Sequence, residues 1–216
     1  MSRVETIGDC TLYRGDCMNL MNYIPDCSVD MILCDLPYGT TACKWDSVIP
    51  FEPLWKHYER IIKDNGAIVL TSSQPFTSSL TMSNPKYFKH SWVWDKIASS
   101  NSLNAKIQPM KIHEDILVFC YGKLNYLPQM TVSTLYKRKG QDTKGEHQRS
   151  INAPVDYHSE YRYPKSIIQF PKDGIIGSND ERKANCLHPT QKPVALMEYL
   201  IKTYTNEGET VLDNCM

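Results

Sequence analysis

The sequence predicts an α/β fold in which a mostly parallel sheet carries helices on both faces, and two observations lead there. Strand-like and helix-like segments alternate along the chain, the order that βα units produce when parallel strands need a crossover between them. Asp16, Asp35, Thr71 and Asp213 also fall where predicted strands end, and the carboxyl ends of strands are where such sheets collect ligands.

Taken in order, Cys10-Thr-Leu-Tyr-Arg14 reads as a strand, Gly15–Cys17 as a turn and Met18–Tyr23 as a short amphipathic segment. The apolar run Val29–Cys34 follows, so this opening reads as β-α-β. Pro53–Lys63 has Leu54, Tyr58, Ile61 and Ile62 on one side, a helical spacing. Asp64-Asn65-Gly66 then signals a turn before the strand Ala67–Thr71. Strands are expected at His90–Trp94 and Asp115–Cys120, a helix over Val194–Tyr204, and a last strand ending Val211-Leu212-Asp213.

The regular pattern fails between Tyr126 and Leu187. There Tyr136-Lys137-Arg138-Lys139, Lys144, His147, Arg149, Tyr157, Tyr161-Arg162-Tyr163 and Lys165 make a basic stretch laced with aromatic rings. The plain reading is a long solvated loop. Cations that neutralise phosphates, mixed with rings that stack, are also what a DNA-reading segment needs. The chain thus divides into an α/β half at 1–126, an inserted segment at 127–187 and a third part at 188–216.

Composition sets limits. With 216 residues, 41% hydrophobic and 22% charged, the chain can bury one sizeable core. Its 24 basic and 24 acidic residues cancel, so any nucleic-acid contact comes from a local patch. The eight cysteines (10, 17, 27, 34, 43, 120, 186, 215) form no CxxC pair. Cys186 and His188 alone do not supply a zinc set, and no metal site is expected. The first residues lack the apolar core of a signal peptide and no run approaches a membrane span, so reduced thiols and a cytoplasmic location are expected, without membrane association. A scaffold binding another nucleotide would need a phosphate-cradling G-x-G-x-x-G or G-x-x-x-x-G-K run, and none occurs.

The most informative stretch is Val29-Asp-Met-Ile-Leu-Cys-Asp35-Leu36-Pro37-Tyr38-Gly39. An apolar strand here delivers a carboxylate, a proline-stiffened turn and an aromatic ring to one place. An ionised Asp35 accepts hydrogen bonds, the Leu36 carbonyl is a second acceptor, and Tyr38 offers a stacking face. An exocyclic NH2 on a flat base donates twice, which matches that pair of acceptors.

The chain resembles the amino-group DNA methyltransferases of the permuted class, in which the catalytic half precedes the cofactor half. The resemblance rests on Leu12–Cys17, Asp35–Gly39 with Lys44-Trp45-Asp46, Ala67–Thr71, Trp92–Lys96, His113–Phe119, His188-Pro-Thr-Gln-Lys-Pro193 and Val211–Asp213, seven segments in the family's order. It implies a Rossmann-like sheet and methyl transfer from S-adenosylmethionine to the N6 of an adenine flipped out of double-stranded DNA. Cytosine N4 stays open as the target. Asp35, Leu36, Pro37 and Tyr38 would form the catalytic turn. Asp16 would lie near the cofactor's adenine, Asp213 beside its methionyl amine, and Thr190 with Lys192 toward its carboxylate. Lys137, Arg138, Lys139 and Arg149 are the candidate DNA contacts. A homodimer and a cognate restriction endonuclease are partners that such a family leaves open.

Two departures stand out. Leu36 replaces the family's usual proline, giving up one fixed φ angle. The sequence also stops at Asn214-Cys215-Met216, before the family's Gly-rich cofactor turn, so the expectation is a truncated chain, incomplete at its cofactor half and a poor binder of S-adenosylmethionine by itself. An inactive DNA-binding remnant is the alternative.

Neutralising Lys137, Arg138 and Lys139 together is expected to weaken DNA binding and flatten its salt dependence, by roughly 0.9 in the log–log slope for each phosphate that no longer meets a cation. A fluorescence-anisotropy salt titration checks this, and an unchanged slope returns the stretch to a solvated loop.

Overall fold

A computed structural model describes residues 3–41, 43, 46–100, 102–138, 157–172 and 191–215. The chain forms two compact units, one of Met1–Leu127 with Ser166–Met216 and the other of Pro128–Lys165.

The larger unit begins with a hairpin of β1 (Arg3–Ile7) and β2 (Cys10–Arg14), paired antiparallel across Gly8 and Asp9. Gly8 has φ +56°, as a two-residue hairpin turn requires. This replaces the β-α-β unit expected at the start of the chain, because β2 pairs with β1 in a sheet of its own. The physical reason lies in its side chains. Most of β2 is exposed, so it lacks the apolar run that would be covered on both faces in a central sheet.

After α1 (Cys17–Leu20) and a single 3-10 turn at Met21–Tyr23, the chain enters β3 (Val29–Cys34). Next come α2 (Phe51–Ile61), β4 (Ile62–Ser72), α3 (Phe76–Ser83), β5 (Phe88–Ser100) and β6 (Lys111–Phe119). In the smaller unit, β7 (Thr131–Arg138) and β8 (Tyr157–Arg162) form an antiparallel pair. The chain re-enters the main sheet at β9 (Ile167–Gln169) and finishes with α4 (Val194–Tyr204) and β10 (Val211–Leu212).

The central sheet has the order β10-β3-β4-β6-β5-β9. Strands β10, β3, β4, β5 and β9 run in one direction and β6 opposes them. The expected mostly parallel sheet with helices on both faces is therefore present. Side chains alternate across it because a strand has a period of two. Ile32, Cys34, Ile68, Leu70, Leu117 and Phe119 face a core with Leu54, Tyr58 and Ile61 of α2 and Leu80 of α3. Met31, Leu33, Ala67, Val69, Ile116 and Val118 face the opposite core, with Leu196, Leu200 and Tyr204 of α4. Covered on both sides, these strands read as unbroken apolar runs.

The helices follow from their own patterns. In α2, buried Leu54, Trp55, Tyr58 and Ile61 make one stripe, with Glu52 in the first turn and Arg60 in the last, each placed to suit the helix dipole. In α4, Leu196, Leu200, Thr203 and Tyr204 are buried, and the Tyr204 hydroxyl accepts a 2.6 Å hydrogen bond from the indole of Trp92. Trp92, Trp94 and Phe119 are all core residues.

Asp64–Gly66, expected as a turn, is a bulge at the start of β4. Val29 pairs with Ile62 while Met31 pairs with Ala67, so the extra residues of β4 are displaced from the ladder. The bulge is locked from outside, since the Gly122 amide donates to the Asp64 carbonyl oxygen at 2.8 Å. A Cβ at Gly122 would stand 2.6 Å from that same oxygen. No helix among the described residues is long and apolar enough to cross a membrane.

Gly122→Ala is expected to destabilise the fold by about 1–3 kcal/mol, the usual cost of forcing atoms into a packed site. Urea unfolding reads this directly, and an unchanged midpoint would mean that the bulge yields without cost.

Candidate active site

Parallel strands bring several polar groups to one edge of the sheet. Asp35 follows the last residue of β3 and Thr71 lies near the end of β4. Antiparallel β6 begins at that same edge, where Asp115 pairs with Ser72 and Ile116 with Thr71. Lys192 comes from the segment just before α4.

These groups meet around the Asp35 carboxylate. Its Oδ1 accepts the Tyr38 hydroxyl at 2.7 Å and also the Thr71 hydroxyl. The Tyr38 and Thr71 oxygens are themselves 3.0 Å apart. Oδ2 accepts the Lys192 ammonium at 2.7 Å. Burial, and then the charges of Asp35 and Glu114, push the Tyr38 phenol well above its ordinary pKa, so it stays protonated and acts as a donor. The Tyr38 ring stacks on Phe76 of α3, with centroids 5.2 Å apart, and Lys192 Nζ lies over it at 5.8 Å.

Lys192 has a second acidic neighbour. Glu114 of β6 places Oε2 3.4 Å from Lys192 Nζ and Oε1 2.5 Å from Lys96 Nζ. Two ammonium groups and two carboxylates thus alternate along one line, each positive charge facing a negative one. The side chains of Lys96, Glu114 and Lys192 are no more than 15% exposed, and an unpaired charge at such a site is costly.

The turn beyond Tyr38 is held from within. Asp46, buried, accepts the Gly39 amide at 2.8 Å on one oxygen and those of Thr40 and Thr41 at 2.9 and 2.7 Å on the other. Gly39 has φ +68°, a conformation that favours glycine, and a Cβ there would meet Val48 at 2.9 Å. Burial works against ionisation of Asp46, but the Thr41 hydroxyl and the amides of Gly39, Thr41 and Thr40 outweigh it and hold the carboxyl below its ordinary range.

Two further acids stand apart from this cluster, and Asp16, expected at a strand end of the main sheet, follows the separate β1–β2 hairpin instead. Asp16 caps α1 by accepting the Asn19 amide at 3.1 Å. Asp213 follows β10 and accepts the Cys215 amide at 2.9 Å. Desolvation, with a contribution from the Asp35 charge, raises the Asp213 carboxyl above its ordinary pKa. The Cys215 side chain packs against the core that contains Cys34.

The expected catalytic and cofactor residues therefore divide as follows. Asp35, Tyr38 and Lys192 come together, with Lys192 on the Asp35 carboxylate. Leu36 packs into the core and Pro37 is half-buried. Asp16 caps α1 and Asp213 follows β10. Lys137 and Arg138 lie on β7, opposite His158 and Tyr157 of β8. Thr190, Lys139 and Arg149 lie outside the described residues. Among the described residues no group of three or more His, Cys, Asp or Glu side chains is placed to hold a metal ion.

Reasoning from the sequence missed Glu114, Lys96 and Phe76, and placed Asp46 only behind the turn. A carboxylate on β6, beginning at the edge where β4 ends, was a usable signal for Glu114. Nothing along the chain pairs Lys96 with it.

A family model described as DNA methylase matches residues 29–215. The DNA adenine methyltransferase YhdJ of Escherichia coli (strain K12) is 27% identical over 94% of this chain and 70% of its own. The type II methyltransferase M.HpaI of Haemophilus parainfluenzae is 25% identical over 95% of this chain, which spans 63% of that relative's length. The M1.HpyAVI–SAM complex superimposes with a TM-score of 0.54 at 20% identity, covering 93% of this chain and 80% of that one.

Asp46→Asn is expected to lower stability at pH 7, with the difference from wild type closing in acid. The folded pKa of Asp46 lies below its ordinary value of 3.8, so its contribution is present above that value and is lost as pH falls through the folded pKa. Urea midpoints measured across the acid range check this, and a gap independent of pH would remove the carboxylate's charge from the explanation.

Proposed function

Because the chain belongs to the family of amino-group DNA methyltransferases, whose methyl donor is S-adenosylmethionine, we propose that it methylates the N6 amine of adenine in double-stranded DNA. The observation that carries this reading is the Asp35 carboxylate. It stands at the end of a buried strand, oriented by two hydroxyls and partnered by an ammonium, beside an aromatic ring.

When bound, S-adenosylmethionine supplies the methyl group as an electrophile on a positively charged sulfur. The residues assigned to it suit such a group, since Asp16, Asp35 and Asp213 are acids and Lys192 is a cation with three protons to share. We assign Asp213 to the methionyl amine, Asp16 to the adenine end, and Lys192 with Thr190 to the methionyl carboxylate.

On the substrate side, Asp35 and the Leu36 carbonyl accept the two N–H groups of the target amine while Tyr38 stacks on the base. Extrusion of a base costs a few kcal/mol, and stacking returns about 1–3 kcal/mol per base, so Tyr38 offsets much of the flip. Asp35 then stabilises the positive charge that grows on the amine nitrogen. Positioning provides much of the remaining acceleration. The segment 127–187 is assigned to DNA reading, with Lys137, Arg138, Lys139 and Arg149 on phosphates.

Cytosine N4 is the second reading, favoured by a family that covers N4 as well as N6 chemistry. The adenine reading draws on the similarity to an adenine methyltransferase along 94% of the chain. The similarity to a type II methyltransferase supports a cognate restriction endonuclease as partner.

Asp35→Ala is expected to abolish methyl transfer and leave DNA affinity within about a few-fold, because phosphate contacts dominate binding. Tritiated-methyl incorporation followed by nucleoside analysis tests both parts. Wild-type incorporation by the variant would remove Asp35 from catalysis, and label in N4-methylcytosine would replace adenine as the target.

A further inference from the structure

If Asp35 accepts the target amine, its present partners pose a difficulty. Oδ1 takes two hydroxyls and Oδ2 takes the Lys192 ammonium at 2.7 Å. An incoming N–H needs an acceptor that is free, and a cation held against that acceptor also opposes the positive charge that develops on the amine. Lys192 therefore has to yield its place. Its side chain is only 12% exposed, so solvent alone is a poor destination for the displaced charge.

Glu114 offers another acceptor. It sits on β6 two residues before Ile116, so its side chain leaves the sheet on the face covered by α4, and Lys192 lies just ahead of that helix. Its Oε1 is taken by the buried Lys96 at 2.5 Å. Its Oε2 is buried and receives no hydrogen bond from any described residue, although Lys192 Nζ is only 3.4 Å away. A buried carboxylate oxygen without a donor is uncommon and calls for an explanation. Here the nearby donor is the ammonium that must leave Asp35.

On the reading of Asp35 given above, we infer that Glu114, braced by Lys96, is a positioning residue that takes the Lys192 ammonium when the target amine reaches Asp35. A small rotation of Lys192 turns the 3.4 Å ion pair into a hydrogen bond and releases Asp35 Oδ2. The Lys192 ammonium has three protons to share, so it passes from Asp35 Oδ2 to Glu114 Oε2 while keeping its contact with the methionyl carboxylate assigned to it above. Lys96 holds Glu114 Oε1 at 2.5 Å, so the acceptor is in place before it is needed.

The test compares wild type, Glu114→Gln, Glu114→Asp and Asp35→Ala in single-turnover methyl transfer. Cofactor affinity, DNA affinity and thermal midpoint are measured on the same preparations. Glu114→Gln keeps the shape and removes the charge, and its transfer rate is expected to fall about 10–100-fold, the scale of a small misplacement of reacting groups. Both affinities stay near wild type, the midpoint falls because the buried Lys96 loses its charged partner, and Glu114→Asp recovers part of the rate. A wild-type rate in Glu114→Gln, or a loss of rate that only follows loss of folding and binding, overturns the proposal. Should Glu114→Gln fail to fold, Glu114→Asp decides, since a wild-type rate in that shortened side chain also overturns it. If Asp35→Ala is inactive while Glu114→Gln is not, this inference alone fails. If Asp35→Ala is active, the reading beneath it fails first.

Discussion

The ion pair between Lys192 and Asp35 joins residues 157 positions apart, and the architecture around it exists to make that meeting possible. The Lys192 ammonium is largely sheltered from water, and such a charge is held only where an opposite charge meets it in good geometry. Here the end of β3 brings Asp35, the end of β4 brings Thr71, and the segment before α4 brings Lys192. Glu114 enters from the opposite direction because β6 runs antiparallel to its neighbours and begins where they end.

The rigidity of that edge comes from the two packed faces below it. The alternating side chains of β3, β4 and β6 fill one core under α2 and α3 and a second under α4. Those strands cannot slip by one residue without exchanging their two faces. The position of Asp35 relative to Thr71 is therefore set by register in the core. The Tyr38 turn adds a local constraint, since three amides on Asp46 fix the backbone that carries the aromatic ring. A stacking ring on a held turn loses less freedom when a base arrives than one on a loose loop.

The electrostatics of the edge divide by function. Tyr38 is kept a neutral donor by burial and neighbouring negative charge, and its hydroxyl donates to Asp35. Asp213 is pushed the other way, toward protonation, and a cation beside it would favour its charged form. A cofactor that brings an amine and a sulfonium into this acidic surface would supply such charge.

Local patterns determined much of this protein. The apolar runs, the stripe of α2 and the span of α4 were all legible, because buried periodicity is written in consecutive residues. Asp35 and Tyr38 lie three positions apart, so their hydrogen bond is local. The β-α-β reading at the N-terminus was not reliable, because whether Cys10–Arg14 joins the main sheet or pairs with Arg3–Ile7 depends on competing partners. The bulge at Asp64–Gly66 looked like a turn for the same reason, its conformation being set by β3 and by Gly122. Only the tertiary structure decided that Lys192 rests on Asp35, that Phe76 lies under Tyr38, and that Glu114 stands between two lysines. Ion pairs and stacked rings join residues that strand order and register bring together in space, and their spacing along the chain carries no trace of the pairing.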